Sequence, residues 1–214
     1  MFKDFGESQA RRYQDGADRP VILTLPGLDS SGPRHWQSHW EKLSGFSRVE
    51  FPDWSEPRLH RWVPALRRAV DEAPRPVLLV AHSLGCLALA WWASLHRGTI
   101  ERGRVLGALL VAPPDVDRVD ASARIRDFRP APREKLPFPS ILVASRNDPY
   151  ADFAASEGLA RAWGSELVDL GKAGHINAQA GLGEWSQGLE HVARLGGLNA
   201  GLLAAELGLR SVLA

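Results

Sequence analysis

The chain has 214 residues, of which 44% are hydrophobic and 24% are charged, and this length is enough to bury a sizeable core in one domain. Its formal net charge of +1 provides no overall field that would favour nucleic acid or an acidic membrane surface as a partner. The single cysteine, Cys86, excludes an internal disulfide framework and a metal site built from several cysteines.

Short apolar runs alternate with helical patterns along most of the chain. Apolar runs rich in Val, Leu and Ile predict strands at 21–25, 48–51, 76–80, 105–111, 140–144 and 166–170. Helices are predicted at about 34–43, 62–72, 84–93 and 150–163, and from about 184 onward. This alternation predicts an α/β fold in three layers, a mostly parallel six-stranded sheet with helices on both faces.

The strand order follows from the handedness of the connections. Right-handed crossovers that lead both ways from the first strand give the order 2-1-3-4-5-6. The carboxyl ends of strands one and three then lie side by side, at the point where such sheets bind ligands. We therefore expect the loop after the first strand and the turn after the third to be neighbours.

Three regions differ in composition. Residues 1–19 are polar and charged and predict a loose segment, residues 20–195 form the domain, and residues 196–214 predict a helical tail. That tail could pack on the domain, mediate homodimerisation or be partly disordered. The first residues lack an apolar signal segment, and no apolar run reaches about 18 residues, so we expect a cytoplasmic protein without a membrane span.

A serine lies between the third predicted strand and the helix that follows it. The sequence there is Ala81-His82-Ser83-Leu84-Gly85, close to the G-x-S-x-G pattern of the nucleophile elbow, in which a sharp turn exposes the serine hydroxyl. Alanine replaces the first glycine but is still small. Taken alone, the motif does not distinguish a nucleophile from an ordinary polar serine at the end of a strand.

A serine nucleophile needs a general base, and three histidines follow Ser83 in the chain. His96 lies at the far end of the helix after Ser83, and His191 lies inside the last amphipathic helix. His175 lies in the loop after the sixth strand, at the edge where the ligand site is expected. An isolated loop histidine is commonly a surface residue, but its position selects His175 as the base.

The base in turn needs an orienting carboxylate. Asp148 directly follows the fifth strand, although it could instead cap the helix that comes next. Asp115 and Asp117, after the fourth strand, are competing candidates. With Asp148 as the acid, the order along the chain is Ser, Asp, His, as in enzymes built on a nucleophile elbow.

Acyl transfer also needs N–H donors for the oxyanion. The turn supplies the backbone N–H of Leu84, and the loop after the first strand should supply that of Leu28, because the preceding Gly27 permits a close approach. His35 lies near this loop and could line the pocket, and Trp54 could form an apolar acyl pocket. His82, before the serine, is expected to support the turn by packing or hydrogen bonding.

His35 and His39 have a spacing that can bind zinc on a helix. The glutamate of the metalloprotease motif is missing between them, and no third ligand is evident. We therefore predict no metal site. Cys86 is expected to be a buried apolar residue without a reactive role.

Several short motifs together resemble a known family. They are Pro26-Gly27 with His35-Trp36-Gln37, Phe51-Pro52-Asp53-Trp54, Ala81-His82-Ser83-Leu84-Gly85, Ser145-Arg146-Asn147-Asp148-Pro149-Tyr150 and Gly174-His175-Ile176-Asn177. The chain resembles a small α/β-hydrolase, more narrowly the lid-less serine hydrolases typified by the retinoblastoma-binding serine hydrolase and its bacterial relatives. The resemblance implies a triad of Ser83, Asp148 and His175 that hydrolyses esters or related acyl bonds.

Two functions are compatible with the sequence. The first is a carboxylesterase-like serine hydrolase that acts on a small-molecule acyl substrate and needs no cofactor; the short segment 115–137, where larger relatives insert a lid, favours small and accessible esters. The second is a binding or protein-interaction module on a hydrolase scaffold, since a fold does not determine a function.

Overall fold

The computed structural model describes residues 19–206, and this part of the chain contains one six-stranded parallel sheet. Its strands are β1 Val21–Leu25, β2 Phe46–Arg48, β3 Val77–His82, β4 Val105–Val111, β5 Ser140–Ala144 and β6 Glu166–Asp169. They lie in the order β2-β1-β3-β4-β5-β6, which confirms the predicted α/β fold and strand order.

The helices connect these strands. They are α1 Trp36–Trp40, α2 Leu59–Glu72, α3 Leu84–Leu95, α4 Phe153–Trp163, α5 Ser186–Gly196 and α6 Ala200–Glu206, with short 3₁₀ helices at Ala123–Phe128 and Ala178–Ala180. Within residues 19–206, none of the helices combines the length and apolar character that a membrane crossing requires.

Each face of the sheet carries its own hydrophobic core. Side chains alternate along a strand, so Leu79 and Ala81 of β3 face the core formed with α2, α3 and α4. Leu78 and Val80 face the opposite core, which is formed with α1, α5 and α6. Because helices cover both faces, the four inner strands β1, β3, β4 and β5 are mostly apolar and buried, and the prediction of helices on both faces is confirmed.

Several element boundaries differ from the prediction, and those of β2 and α2 differ for identifiable reasons. β2 is at 46–48 rather than 48–51: Phe46 pairs with Ile22 of β1, whereas Phe51 is buried in the core without continuing the ladder. α2 begins at Leu59 rather than 62, because the carbonyl of Arg58 already accepts the N–H of Trp62. Pro64 consequently lies in the second turn of α2 and not in its first.

α4 also begins later than predicted. It starts at Phe153 with Asp152 as its N-cap residue, so Pro149 precedes the helix and Asp148 does not cap it. Capping this helix, which the sequence left open for Asp148, is therefore not the role that the structure gives its carboxylate.

The terminal regions are described only in part. Residues 1–18 of the predicted loose segment, and residues 207–214 of the predicted tail, lie outside the described residues. Within the tail, Leu203 of α6 is buried in the core beneath α5, and Glu206 pairs with Arg19 at 2.6 Å. The described part of the tail therefore packs on the domain.

The strand register brings the functional loops to one edge. Leu25 of β1 lies opposite Ala81 of β3, and Ala144 of β5 lies opposite Asp169 of β6. The loops after β1, β3, β5 and β6 therefore leave the sheet at the same level and can contribute to one site.

Candidate active site

Ser83 is the single residue between β3 and α3. Its backbone has φ 54° and ψ −126°, a positive φ that residues other than glycine seldom adopt. The turn is tight because α3 lies very close to β1: a Cβ added to Gly85 would be 2.2 Å from the carbonyl oxygen of Leu25. Ala81, in place of the usual first glycine, is fully buried in the core.

A chain of hydrogen bonds leads from this serine to a buried carboxylate. His175 Nε2 is 2.8 Å from Ser83 Oγ, and His175 Nδ1 is 3.0 and 2.9 Å from the two carboxylate oxygens of Asp148. A carboxylate accepts only, so Nδ1–H donates to Asp148, and this tautomer leaves the Nε2 lone pair to accept the serine hydroxyl proton. The structure thus brings together the three residues that the sequence selected, with Asp148 rather than Asp115 or Asp117.

The loop after β5 fixes the carboxylate in place. Asp148 Oδ1 also accepts the backbone N–H of Tyr150 at 2.9 Å. The ring of Tyr150 lies edge to face with that of His175, with 4.5 Å between the ring centroids. Only 3% of the Asp148 side chain and 9% of the His175 side chain are exposed, so this pair is largely shielded from water.

The loop after β1 lies directly against the serine, as predicted. A Cβ on Gly27 would be 2.7 Å from Ser83 Cβ and 3.1 Å from the backbone nitrogen of Leu84. Within residues 19–206, the N–H groups of Leu28 and Leu84 have no hydrogen-bond partner. Both groups are therefore available to an oxygen atom bound beside Ser83.

Ser83, His175 and the two residues with available N–H groups, Leu28 and Leu84, line a cavity of about 550 Å³. His35, which the sequence placed near the pocket, lines it. Trp54 does not: its ring packs edge to face against Phe51 and Trp62, each at 5.6 Å between centroids. The expectation of an acyl pocket at Trp54 is therefore corrected, because the ring turns towards the core.

The segment 115–137 forms one wall of the cavity and carries most of its charge. Arg124 binds both carboxylate oxygens of Asp29, in the loop after β1. Arg118 likewise binds both oxygens of Asp120. Both guanidinium groups in the wall are thus already paired with carboxylates.

Two further histidines lie beneath the site. His35 Nδ1 accepts the N–H of Gln37 at the start of α1, and burial, followed by the nearby Arg48, lowers the pKa of His35 to about 4. Burial also lowers the pKa of His82 well below its usual value. Both rings are therefore neutral at pH 7. In the described residues, no group of three or more His, Cys, Asp or Glu side chains is placed to hold a metal ion.

Cys86 follows the serine by one turn of α3. It is fully buried, and burial raises the pKa of its thiol. Because the thiolate is the nucleophilic form, this residue does not compete with Ser83.

Two polar residues that the sequence analysis did not select hold the loop of His175. Ser145 Oγ accepts the N–H of Ala173 at 3.0 Å, and Asn147 Oδ1 accepts that of Gly174 at 2.8 Å. The sequence carries only one signal for this role, which is that two small polar residues lie just after a buried strand, on either side of Arg146.

Comparisons with known proteins agree with this geometry. A family model described as serine hydrolase matches residues 22–194. A YdeN-like hydrolase from Pectobacterium atrosepticum is 33% identical, with 95% of this chain and 99% of that chain covered and a TM-score of 0.72. A comparison with curated proteins finds no match.

Two more distant structures share the fold. The ydeN gene product from B. subtilis is 20% identical, with 76% of this chain and 90% of that chain covered and a TM-score of 0.55. The esterase domain of a Rhodothermus marinus protein is 15% identical, with 84% of this chain and 88% of that chain covered and a TM-score of 0.59. On the family match and the close structural relative, the chain belongs to the serine hydrolase family, with the fold of the α/β-hydrolases.

Proposed function

We propose that this protein hydrolyses a small ester or a related acyl bond through an acyl-enzyme intermediate. The observation that carries the proposal is the continuous hydrogen-bonded chain from Asp148 through His175 to Ser83. The N–H groups of Leu28 and Leu84, which have no partner among residues 19–206, and the membership of the serine hydrolase family support the same reaction class.

The first half of the reaction forms the acyl-enzyme. Ser83 Oγ attacks the acyl carbonyl carbon while His175 Nε2 takes the hydroxyl proton. The carboxylate of Asp148 stabilises the imidazolium that forms, and the N–H groups of Leu28 and Leu84 bind the oxyanion. His175 then gives its proton to the leaving oxygen, and the bond between the acyl carbon and the leaving group breaks.

The second half repeats these steps with water. His175 Nε2 takes a proton from a water molecule, whose oxygen attacks the acyl carbon of the Ser83 ester. The tetrahedral intermediate collapses, the proton returns to Ser83 Oγ, and the acid product leaves. Both steps use protein groups already present in the site.

The shape and polarity of the cavity favour a short acyl group. Its volume of about 550 Å³ is within the range of sites for small molecules. Apolar Leu28, Leu84 and Ile125 share its wall with the charged Asp115 and Arg124, a mixed lining that suits a short acyl group better than a long lipid chain. The only regular structure in the segment above the cavity is the 3₁₀ helix Ala123–Phe128, which is too short to form a helical lid.

Labelling with a fluorophosphonate tests the proposal directly. The wild-type protein should acquire one covalent label, located on Ser83 by peptide mass spectrometry, and Ser83→Ala should acquire none. Ser122→Ala, which removes another hydroxyl from the cavity wall, is the matched control and should label as the wild type does. Absence of a label in folded wild-type protein would contradict the proposal and favour the binding module.

The acyl preference is measured with aryl esters of increasing chain length, and with the matching thioester and amide. We expect kcat/KM to be highest for the short esters and to fall as the chain lengthens beyond the cavity. A rise in kcat/KM up to long acyl chains would contradict the short-chain preference without affecting the assignment of Ser83.

A further inference from the structure

The loop of His175, residues 170–177, is held at its backbone by side chains from other parts of the site. The carbonyl of Ile176 accepts the indole N–H of Trp36, in α1, at 2.9 Å. The carbonyl of His175 itself is 2.9 Å from Nε2 of His82. Together with the bonds from Ser145 and Asn147, these contacts fix the loop on both sides of the imidazole.

The contact from His82 differs from the others because His82 is the residue next to Ser83. His82 is only 5% exposed. A carbonyl oxygen can only accept, so Nε2 of His82 carries a proton and donates it to this bond. The path from the serine to the backbone of its base therefore consists of one peptide bond, one rigid side chain and one hydrogen bond.

We propose that His82 is a positioning residue, which sets the location of the His175 imidazole relative to Ser83 through its hydrogen bond to the His175 carbonyl. The proposal rests on the hydrolase function proposed above. Displacements of about 1 Å at a reacting group can cost on the order of 100-fold in rate. A direct link between the residue before the nucleophile and the backbone of the base would limit such displacements.

The surroundings of His82 suit this role. Its ring centroid lies 5.0 Å from that of His175 and 4.7 Å from that of His35, and Trp36 packs edge to face against it at 6.0 Å. These contacts fix the ring orientation on several sides. Because burial keeps His82 neutral, it does not repel the positive charge that appears on His175 during the reaction.

A matched pair of variants separates the hydrogen bond from packing. His82→Gln keeps an N–H donor at about the distance of Nε2, whereas His82→Met has a similar length and volume but no donor. We expect His82→Met to lower kcat about 10- to 100-fold with KM within about three-fold of the wild type, and His82→Gln to retain most of kcat. Turnover is measured with a short-chain aryl ester.

A spectroscopic readout reports on the His175–Asp148 pair without turnover. The Nδ1–H proton of His175, bonded to a carboxylate, should give a far-downfield proton NMR signal in the wild type and in His82→Gln. In His82→Met the signal should broaden or move upfield. His82→Asn, whose amide is too short to reach the carbonyl, provides a second variant without the bond and should behave as His82→Met does.

The outcomes are distinct. The proposal would be overturned by a wild-type kcat together with an unchanged downfield signal in His82→Met or His82→Asn. It would also be overturned if His82→Gln and His82→Met lost equal amounts of kcat, since the N–H donor at this position would then be irrelevant. A wild-type protein that neither turns over esters nor takes up the fluorophosphonate would instead remove the proposed function. In that case the NMR signal still tests whether His82 holds His175.

Discussion

Both carboxylate oxygens of Asp148 lie within 3.0 Å of His175 Nδ1, and the backbone of Tyr150 holds one of them. In Asp148→Asn the side chain keeps its size, and its carbonyl oxygen can still accept the N–H of Tyr150. Its NH₂ group can then face Nδ1 of His175. The imidazole then favours the tautomer that carries its proton on Nε2 and cannot accept the serine proton. By analogy with the same substitution in a serine protease, we expect kcat to fall about 10⁴-fold with the fold intact.

The matched control for this variant is Asp169→Asn. Asp169 is a carboxylate at the same edge of the sheet, which pairs with Arg146 at 2.6 Å and not with His175. The Asp169→Asn variant should retain the kcat and the circular dichroism spectrum of the wild type. A loss of less than tenfold in Asp148→Asn would show that another carboxylate orients the base.

The meeting of Ser83, Asp148 and His175 could be predicted from the sequence because each lies in the connection that follows a strand, and parallel strands end at one edge. Trp54 could not be placed in the same way. It lies in a loop where the backbone, not a strand register, decides which way the ring points, and the ring packs against Phe51 and Trp62. The side chains of Ser145 and Asn147 bond to backbone N–H groups of another loop, and no short motif encodes such contacts.

Among the elements, α3 depends most on one residue. A Cβ on Gly85 would lie 2.2 Å from the carbonyl oxygen of Leu25 and 2.8 Å from that of Pro26, and these atoms belong to backbone that cannot rotate away. Gly85→Ala must therefore move α3 relative to β1. We expect the free energy of unfolding to fall by about 1–3 kcal/mol or more, measured by urea denaturation.

Gly98→Ala provides the matched control for Gly85→Ala. No atom lies within 4 Å of the position of a Cβ on Gly98, so this variant should leave the urea midpoint close to that of the wild type. Because the shift of α3 also moves Ser83, Gly85→Ala should label more slowly with a fluorophosphonate. An unchanged urea midpoint in Gly85→Ala would show that the turn can relax at little cost.

Element types were more predictable than element ends. Within residues 19–206, the apolar runs and the helical periodicity identify all six strands and, with the predicted helical tail, all six α-helices, because burial on two faces leaves a clear hydrophobic pattern. The ends depend on which backbone groups pair. Phe51 is as apolar as a strand residue, yet the ladder stops at Arg48, and the helix after Asp148 begins only after a turn at Tyr150.

The fold as a whole explains why two histidines are buried beneath the site. The order β2-β1-β3 places the helix after β1 next to the end of β3, so His35 and His82 meet with their rings 4.7 Å apart. The strand order was predictable from the handedness of the crossovers. The burial of these two rings was not, because it depends on how α1 packs on the sheet.

This burial makes stability depend on pH. The unfolded chain protonates His35 near pH 6.5, whereas the folded protein does so only near its lowered pKa of about 4. Between these values the unfolded state binds more protons, so the free energy of unfolding falls as the pH falls from about 6.5 to about 4. The contribution of His35 to this loss is about 3 kcal/mol at most, and it stops increasing below about pH 4.

His35→Asn isolates that contribution. Asparagine removes the titrating ring but keeps a side-chain acceptor for the start of α1, where it is a favoured N-cap residue. Urea denaturation at pH 7, 6, 5 and 4.5 should show a smaller loss of stability in His35→Asn than in the wild type. His60→Asn, which replaces an exposed histidine on α2, should follow the wild-type curve, and equal pH slopes in all three proteins would contradict a depressed pKa at His35.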